Sequence, residues 1–250
     1  MSGATFDPAA VAIRPAATVM LVRESDGTGI EVFMMRRTTK AAFAGGMYVF
    51  PGGAVDAEDS SHEVAAIREC FEEAGVLLAR SADGSIVRLD DPLVHDRFSI
   101  YRHAVHSGER SMTSVLDAEN LTAMVDQMHW VSHWVTPFGE VRRFDTRFFV
   151  AAMPPDQEPL HDDLETVDSL WVTPGEALSR ARRGELMMLP PTIVNLGFLA
   201  DHRTVDGILS SVVGLGMPEK ILPKVRWAAD GSIEALLMPG DPGYEDLPDR

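Results

Sequence analysis

The sequence is poor in cysteine, poor in positive charge and without a long apolar run, and each shortage removes a class of protein. A single cysteine, Cys70, in 250 residues excludes an intramolecular disulfide framework and a cysteine zinc cage, and it suits a reducing cytosol. Cys70 falls in a helical pattern and reads as a small core-edge residue rather than a nucleophile. Only 22 Lys and Arg stand against 38 Asp and Glu, a formal charge of −16, which argues against nucleic acid held by counterion release. A polyanionic substrate would need metal ions or a local basic patch. No stretch reaches the roughly 18 apolar residues of a membrane span. The N-terminus, MSGATFDPAAVAIRPAA, lacks both a basic n-region and an apolar run. No nucleic-acid or membrane partner is expected, and the simplest location is the cytoplasm. What is present, 45% hydrophobic and 24% charged residues, supplies a sizeable core for one domain or a domain with an extension.

No internal repeat or low-complexity segment interrupts the chain. ATVMLVRES, DGTG and IEVFMMRR read as strand, turn and strand, with Asp26-Gly27 and Thr28-Gly29 supplying the turn. After the Gly-rich FAGGMYVFPGGAVD, Ser60 is placed to cap a helix with Glu63 completing a capping box, and Gly75 to end it in the left-handed conformation. Leu93 to Gln127 is mostly helical in pattern. MHWVSHWVTP, RRFDTRFFVAAMP and VDSLWVTP follow as strands. PGEALSRARRGEL, PPTIVNLGFLADH and TVDGILSSVVGLG read as helices, and the tail as a hairpin about Asp230-Gly231. This order suggests an α+β core with a helical C-terminal extension.

One helix carries the chemistry. Val64, Ile67, Phe71 and Ala74, spaced three, four and three apart, form the stripe of a helix packed on a core. Glu69, Glu72 and Glu73 lie opposite. A solvated face would interleave lysines, because like charges at these spacings each cost a few tenths of a kcal/mol and acids near a helix C-terminus oppose its dipole. Carboxylates converging at helical spacing are what a hard divalent cation such as Mg²⁺ requires. Arg68, four before Glu72, can pair along the helix and hold a carboxylate in place.

RECFEEAGV, Arg68 to Val76, fits the second half of the Nudix box, G-x₅-E-x₇-R-E-U-x-E-E-x-G-U, at every specified position. With FPGG before it, the chain resembles the Nudix hydrolase superfamily. That resemblance implies an α/β/α sandwich around a mixed sheet and Mg²⁺- or Mn²⁺-dependent hydrolysis of nucleoside diphosphates linked to another group. It implies Glu69 and Glu73 as metal ligands, Glu72 as a ligand or base-orienting neighbour, and the Gly52 carbonyl as a further ligand. The first half of the box departs from the pattern: its glycine position falls on Ala54 and its early glutamate on Ser60, with Gly53 one residue too far away. A one-residue insertion in AVDAEDSS repairs the spacing and leaves Glu58 or Asp59 as that acid.

Beyond the box, MRRTTKAAFAGGMYVFPGGAVDAED, WVTPFGEVRRFDTRFFVAAMP, LWVTPGEAL and LPPTIVNLGFLA resemble the branch that includes the peroxisomal coenzyme A diphosphatase and bacterial relatives. Its upstream arginine motif is matched at Arg37 and Gly46 but carries Ala42 at the second arginine. The organisation expected is an N-terminal arm (1–15), a Nudix domain (16–185) with a helical insertion about 90–125, and a helical extension with a terminal hairpin (186–250). Coenzyme A, acyl-coenzyme A, ADP-ribose, NADH and dinucleoside polyphosphates share the P–O–P bridge such an enzyme cuts. A MutT-like triphosphatase and a non-catalytic nucleotide sensor are the rival readings.

The base is a box glutamate or an acid of EPLHDDLETVDSLW, where Asp162, Asp163 and Glu165 stand and Glu165 is favoured. Arg37, Arg142 and Arg143 are candidates for substrate phosphates, the arginine pair being equally able to neutralise Asp145 or Glu140. Trp130, Trp134 and Trp171 read as core, with one free to stack on adenine. His103, His106, His129 and His133 lack a carboxylate at a fitting spacing and are not expected to bind metal. A homodimer is expected by analogy with Nudix enzymes of this size.

Overall fold

Two strands near the start of the chain set the layering, because their alternate residues are apolar in both directions. The computed structural model describes residues 7–25, 27, 29–41, 43–162, 165–228, 230 and 232–248. Its elements are β1 (Ile13–Ser25), β2 (Gly29–Arg37), β3 (Tyr48–Val49), β4 (Gly52–Ala54), α1 (His62–Ala74), β5 (Ala79–Ser81), α2 (Pro92–His106), α3 (Met112–Ala118), β6 (Leu121–Ala123), β7 (His129–Val135), β8 (Arg143–Ala152), β9 (Thr166–Val172), α4 (Pro174–Arg182), α5 (Pro190–Ala200), α6 (Val205–Val212), β10 (Lys220–Ile221), β11 (Lys224–Trp227) and β12 (Ile233–Leu237).

Ala17, Val19 and Leu21 of β1, with Phe33 and Met35 of β2, bury against α1, α2 and α3. Met20 and Val22, with Val32 and Met34, bury on the opposite face against Leu196 and Leu199 of α5 and Ile208 and Val212 of α6. Period-2 alternation with both faces apolar is what a sheet between two helical layers requires, and the fold is an α/β/α sandwich.

The sheet runs β10-β7-β8-β1-β2-β3, with β4 added to β1 and β9 to β2. β1 is parallel to β8 and β10 to β7, and the other pairings are antiparallel. β1 and β2 pair only through Val22–Ser25 and Gly29–Val32. They then part: Ala16 to Thr18 pair with β4, and the far half of β2 pairs with β3 and β9. At that divergence β4 comes up against the C-terminal half of α1, where the Gly52 N–H donates to Glu73 Oε2 at 2.9 Å.

The start of α1 corrects an expectation. Ser61, not Ser60, is the cap, its Oγ accepting from Val64 N, because the first free N–H groups of the helix lie one residue later than the capping-box spacing suggested. The end is as expected: Gly75 has φ 70° and its N–H donates to the Phe71 carbonyl. Arg102 of α2 donates to the Glu72 and Glu73 carbonyls and so puts a cation at the helix terminus that the glutamates oppose. A Cβ at Gly75 would lie 3.0 Å from Arg102 Nη1, on a left-handed backbone. Gly75→Ala is therefore expected to cost about 1–2 kcal/mol, measured as a lower midpoint of thermal unfolding.

The segment from Leu93 to Gln127 is not helical throughout. After α2 and α3 it forms β6, antiparallel to β5, a pairing between segments 40 residues apart that local periodicity does not reveal. The terminal hairpin pairs β11 with β12. Gly27 and Gly29 of the first turn have positive φ, while Asp26, Thr28, Ala42, Asp163 and Gly231 lie outside the described residues. Cys70 is fully buried in the core beneath α1, and burial pushes its thiol pKa up. No helix among the described residues is long and apolar enough to cross a membrane.

Candidate active site

Glu69 and Glu73 sit four residues apart on α1 and so share a face. Both line a cleft of about 1040 Å³, together with Gly52, Gly53, Arg37 and Glu165. Arg37, at the end of β2, ties the two sides of the site together. Its Nη1 lies 3.7 Å from Glu73 Oε1, and its Nη2 donates to Glu165 Oε2 at 3.1 Å. Arg37 Nε is buried with no hydrogen-bond partner among the described residues. Glu165 is held there by its backbone, its carbonyl accepting from Thr38 N and its N–H donating to Asp162. Asp162 is also bound by Thr166 N and Oγ1.

The carboxylates are kept in an unusual state. Burial raises Glu69 to about 7, with Arg68 opposing and Glu72 adding to the rise. Burial and the neighbouring Glu69 raise Glu73 well above the ordinary carboxylate range, against the Gly52 N–H and Arg37. Two buried acids this close cannot both ionise cheaply without a cation between them.

Arg68 organises the rest. Its Nε and Nη2 donate to Asp59, Nη2 also to the Ala54 carbonyl, and Nη1 to both Glu69 and Glu72. Asp59 is buried against it while Glu58 is exposed. Glu72, one position before Glu73, turns away from the cleft and lines a separate cavity of about 310 Å³ with Asp56, Asp59 and Arg110. His106 Nδ1 approaches it to 4.0 Å. Glu72 lies about 100° around the helix from Glu73 but shares the Arg68 Nη1 donor with Glu69.

Arg143 is also corrected. Strand alternation turns it inward, where it is buried, donates to the Thr136 carbonyl and stacks on Phe138, while exposed Arg142 lines the cleft. Sequence reasoning missed Arg14 and Lys40, which join Arg37 and Arg142 there. Trp134 lines the cleft, whereas Trp130 and Trp171 lie under Arg147 and Arg23. His133 does have a carboxylate, Asp145 on the neighbouring strand, a partner that sequence spacing hides.

The model of the family described as the NUDT19 Nudix domain matches residues 62–199, more than half of the chain. The chain belongs to the NUDT19 Nudix domain family. Human acyl-coenzyme A diphosphatase NUDT19 is 32% identical over 201 residues, a match that spans 75% of this chain but 52% of the human protein. Putative nudix hydrolase 7 of Caenorhabditis elegans is 30% identical over 241 residues, covering 93% of this chain and 75% of that one. The crystal structure of a NUDIX hydrolase from Alicyclobacillus acidocaldarius superposes with a TM-score of 0.71 at 30% identity, over 80% of this chain and 97% of that one.

The Nudix glutamates fit a divalent cation as a partial donor set. Among the described residues no three Asp, Glu, His or Cys side chains enclose an ion by themselves. Mg²⁺ ordinarily takes one or two carboxylates and completes its shell with water and substrate phosphates, and Glu69 and Glu73 supply two hard oxygen ligands whose mutual repulsion a cation would relieve. Gly53 keeps that space open, because a Cβ there would overlap the Glu69 carboxylate. Gly53→Ala is expected to lower kcat/KM about tenfold or more by turning Glu69 aside, with a modest fall in melting temperature because the Glu69 bond to Arg68 goes with it.

Proposed function

We propose that the chain is a metal-dependent diphosphatase that cuts the P–O–P bridge of coenzyme A and its thioesters. The observation that carries this reading is the convergence of Glu69, Glu73, Arg37 and Glu165 on one cleft. The names of its relatives, acyl-coenzyme A diphosphatase among them, support the choice of substrate. Held by Glu69 and Glu73, Mg²⁺ or Mn²⁺ would neutralise the diphosphate and lower the pKa of an attacking water. Glu165 is the candidate base, aimed by its ion pair with Arg37. Arg37, Arg14, Lys40 and Arg142 supply positive charge along the cleft for an anionic substrate. Glu72, Arg68 and Asp59 hold the register of the box without touching substrate. The Gly52 N–H fixes Glu73, the Gly52 carbonyl is a further ligand for the cation, and the enzyme works in the cytoplasm.

The test is a panel of coenzyme A, acyl-coenzyme A, ADP-ribose, NADH and diadenosine polyphosphates with Mg²⁺ or Mn²⁺ and identification of products. The expected result is 3′,5′-ADP from the coenzyme A species. Binding without turnover of any member under either metal would replace the diphosphatase reading with a nucleotide sensor.

A further inference from the structure

The cleft has two chemically unlike ends. Beside β4 it carries Glu69, Glu73 and Arg37; elsewhere its wall is Trp134, Phe144 and Phe148 with Val225, Ile233 and Leu236 of the β11–β12 hairpin. The hairpin follows β10, the edge strand paired with β7, so it belongs to the far side of the sheet from β4. Between β4 and β7 stand β1 and β8, three strand spacings or roughly 14 Å. That distance exceeds the reach of a ribose joined directly to the diphosphate and suits a group carried on a long flexible arm.

The hairpin is fixed in place rather than loosely appended. Buried Lys224 donates to the Tyr244 and Leu247 carbonyls and lies over the Tyr244 ring. Trp227 packs on the turn between β7 and β8, at Gly139, where a Cβ would come within 2.9 Å of its ring. So anchored, the hairpin leaves large aliphatic side chains uncovered at the cleft: Ile233 is 56% exposed and Leu236 37%, and Val141 on the opposing turn is 64% exposed. Aliphatic groups clustered on a ligand cleft mark a binding surface. Residues 224–237 lie beyond the 62–199 matched by the family.

We propose that Val225, Ile233 and Leu236, with Val141, form a subsite for the acyl chain of a coenzyme A thioester whose diphosphate lies at Glu69 and Glu73. This rests on the diphosphatase reading above and adds which end of the substrate the hairpin holds. It predicts affinity that rises with chain length, since each buried methylene is worth up to about fourfold.

Calorimetric titration with Ca²⁺ in place of Mg²⁺, a hard cation suited to the same carboxylate oxygens, with coenzyme A, butanoyl-coenzyme A and dodecanoyl-coenzyme A tests it, the cell contents being assayed for 3′,5′-ADP to confirm that no turnover has occurred. The wild-type protein is expected to bind the dodecanoyl thioester at least about thirtyfold more tightly than coenzyme A, with the butanoyl thioester between. In Ile233→Glu/Leu236→Glu that ratio should fall to within about threefold, and Val141→Glu, which leaves the hairpin intact, should reduce it in the same direction. A wild-type ratio near one, or a ratio kept in both variants, overturns the proposal. Release of 3′,5′-ADP with Mg²⁺ is read separately, so loss of either result leaves the other standing.

Discussion

Replacing Glu73 by Gln is expected to lower kcat by about a thousandfold while the protein remains folded. Glutamine keeps the volume and an amide oxygen able to accept from the Gly52 N–H, so packing at this fully buried position is preserved. On the proposed function, what would be lost is an anionic oxygen ligand of the cation that faces the phosphates, and ~4 kcal/mol of transition-state stabilisation is the scale of such charge terms in a water-poor site. The same substitution has a pH signature without metal. Folded Glu69, raised to about 7, and Glu73, raised in the same direction, bind protons more tightly than the unfolded chain does. Their contribution to stability is therefore full below about pH 4.3 and is lost as pH rises through 7. Glu73→Gln should raise the melting temperature of the cation-free protein by several degrees at pH 8 and change it little at pH 5. Equal activity of variant and wild type, or a variant that melts lower at pH 8, would count against the assigned role.

Replacing Arg68 by Met should produce the largest loss of stability, about 3–5 kcal/mol, the cost of leaving buried charges without their partner. Asp59, Glu69 and Glu72 all bond to Arg68, and so does the Ala54 carbonyl. At roughly 2–4 °C per kcal/mol for a chain of this size, the melting temperature should fall by about 10 °C, and activity should fall with it because Glu69 is released. Asp59→Asn should reproduce part of the loss, while Glu58→Gln, at an exposed position, should lie within about 0.5 kcal/mol of wild type. Equal effects at Glu58 and Asp59 would show that the loop is not clamped as described.

That comparison shows how far the sequence could be read. The stripe Val64, Ile67, Phe71 and Ala74 and the box register placed α1 and its glutamates, because a helix face is a local property. The choice between Glu58 and Asp59 was not legible: both acids stand in one loop, and only the folded loop shows which reaches Arg68. Arg142 and Arg143 were inseparable for a related reason, since neighbours at a strand end face opposite ways and the strand's first residue sets which is buried. Arg14 and Lys40 belong to segments far from the box, although Arg14, next to Phe144 across the β1–β8 pairing, joins the cleft once the sheet order is known. Arg102 gave no local signal at all; its role depends on α2 crossing the end of α1.

The most direct measurement is titration of Mn²⁺ into the substrate-free protein near pH 7, followed by calorimetry in buffers of different ionisation enthalpy. If Glu69 and Glu73 are raised, partly protonated ligands, binding should be saturable, should release protons, and should be lost in Glu73→Gln. Equal affinity in wild type and Glu73→Gln, or binding without proton release, would contradict the account.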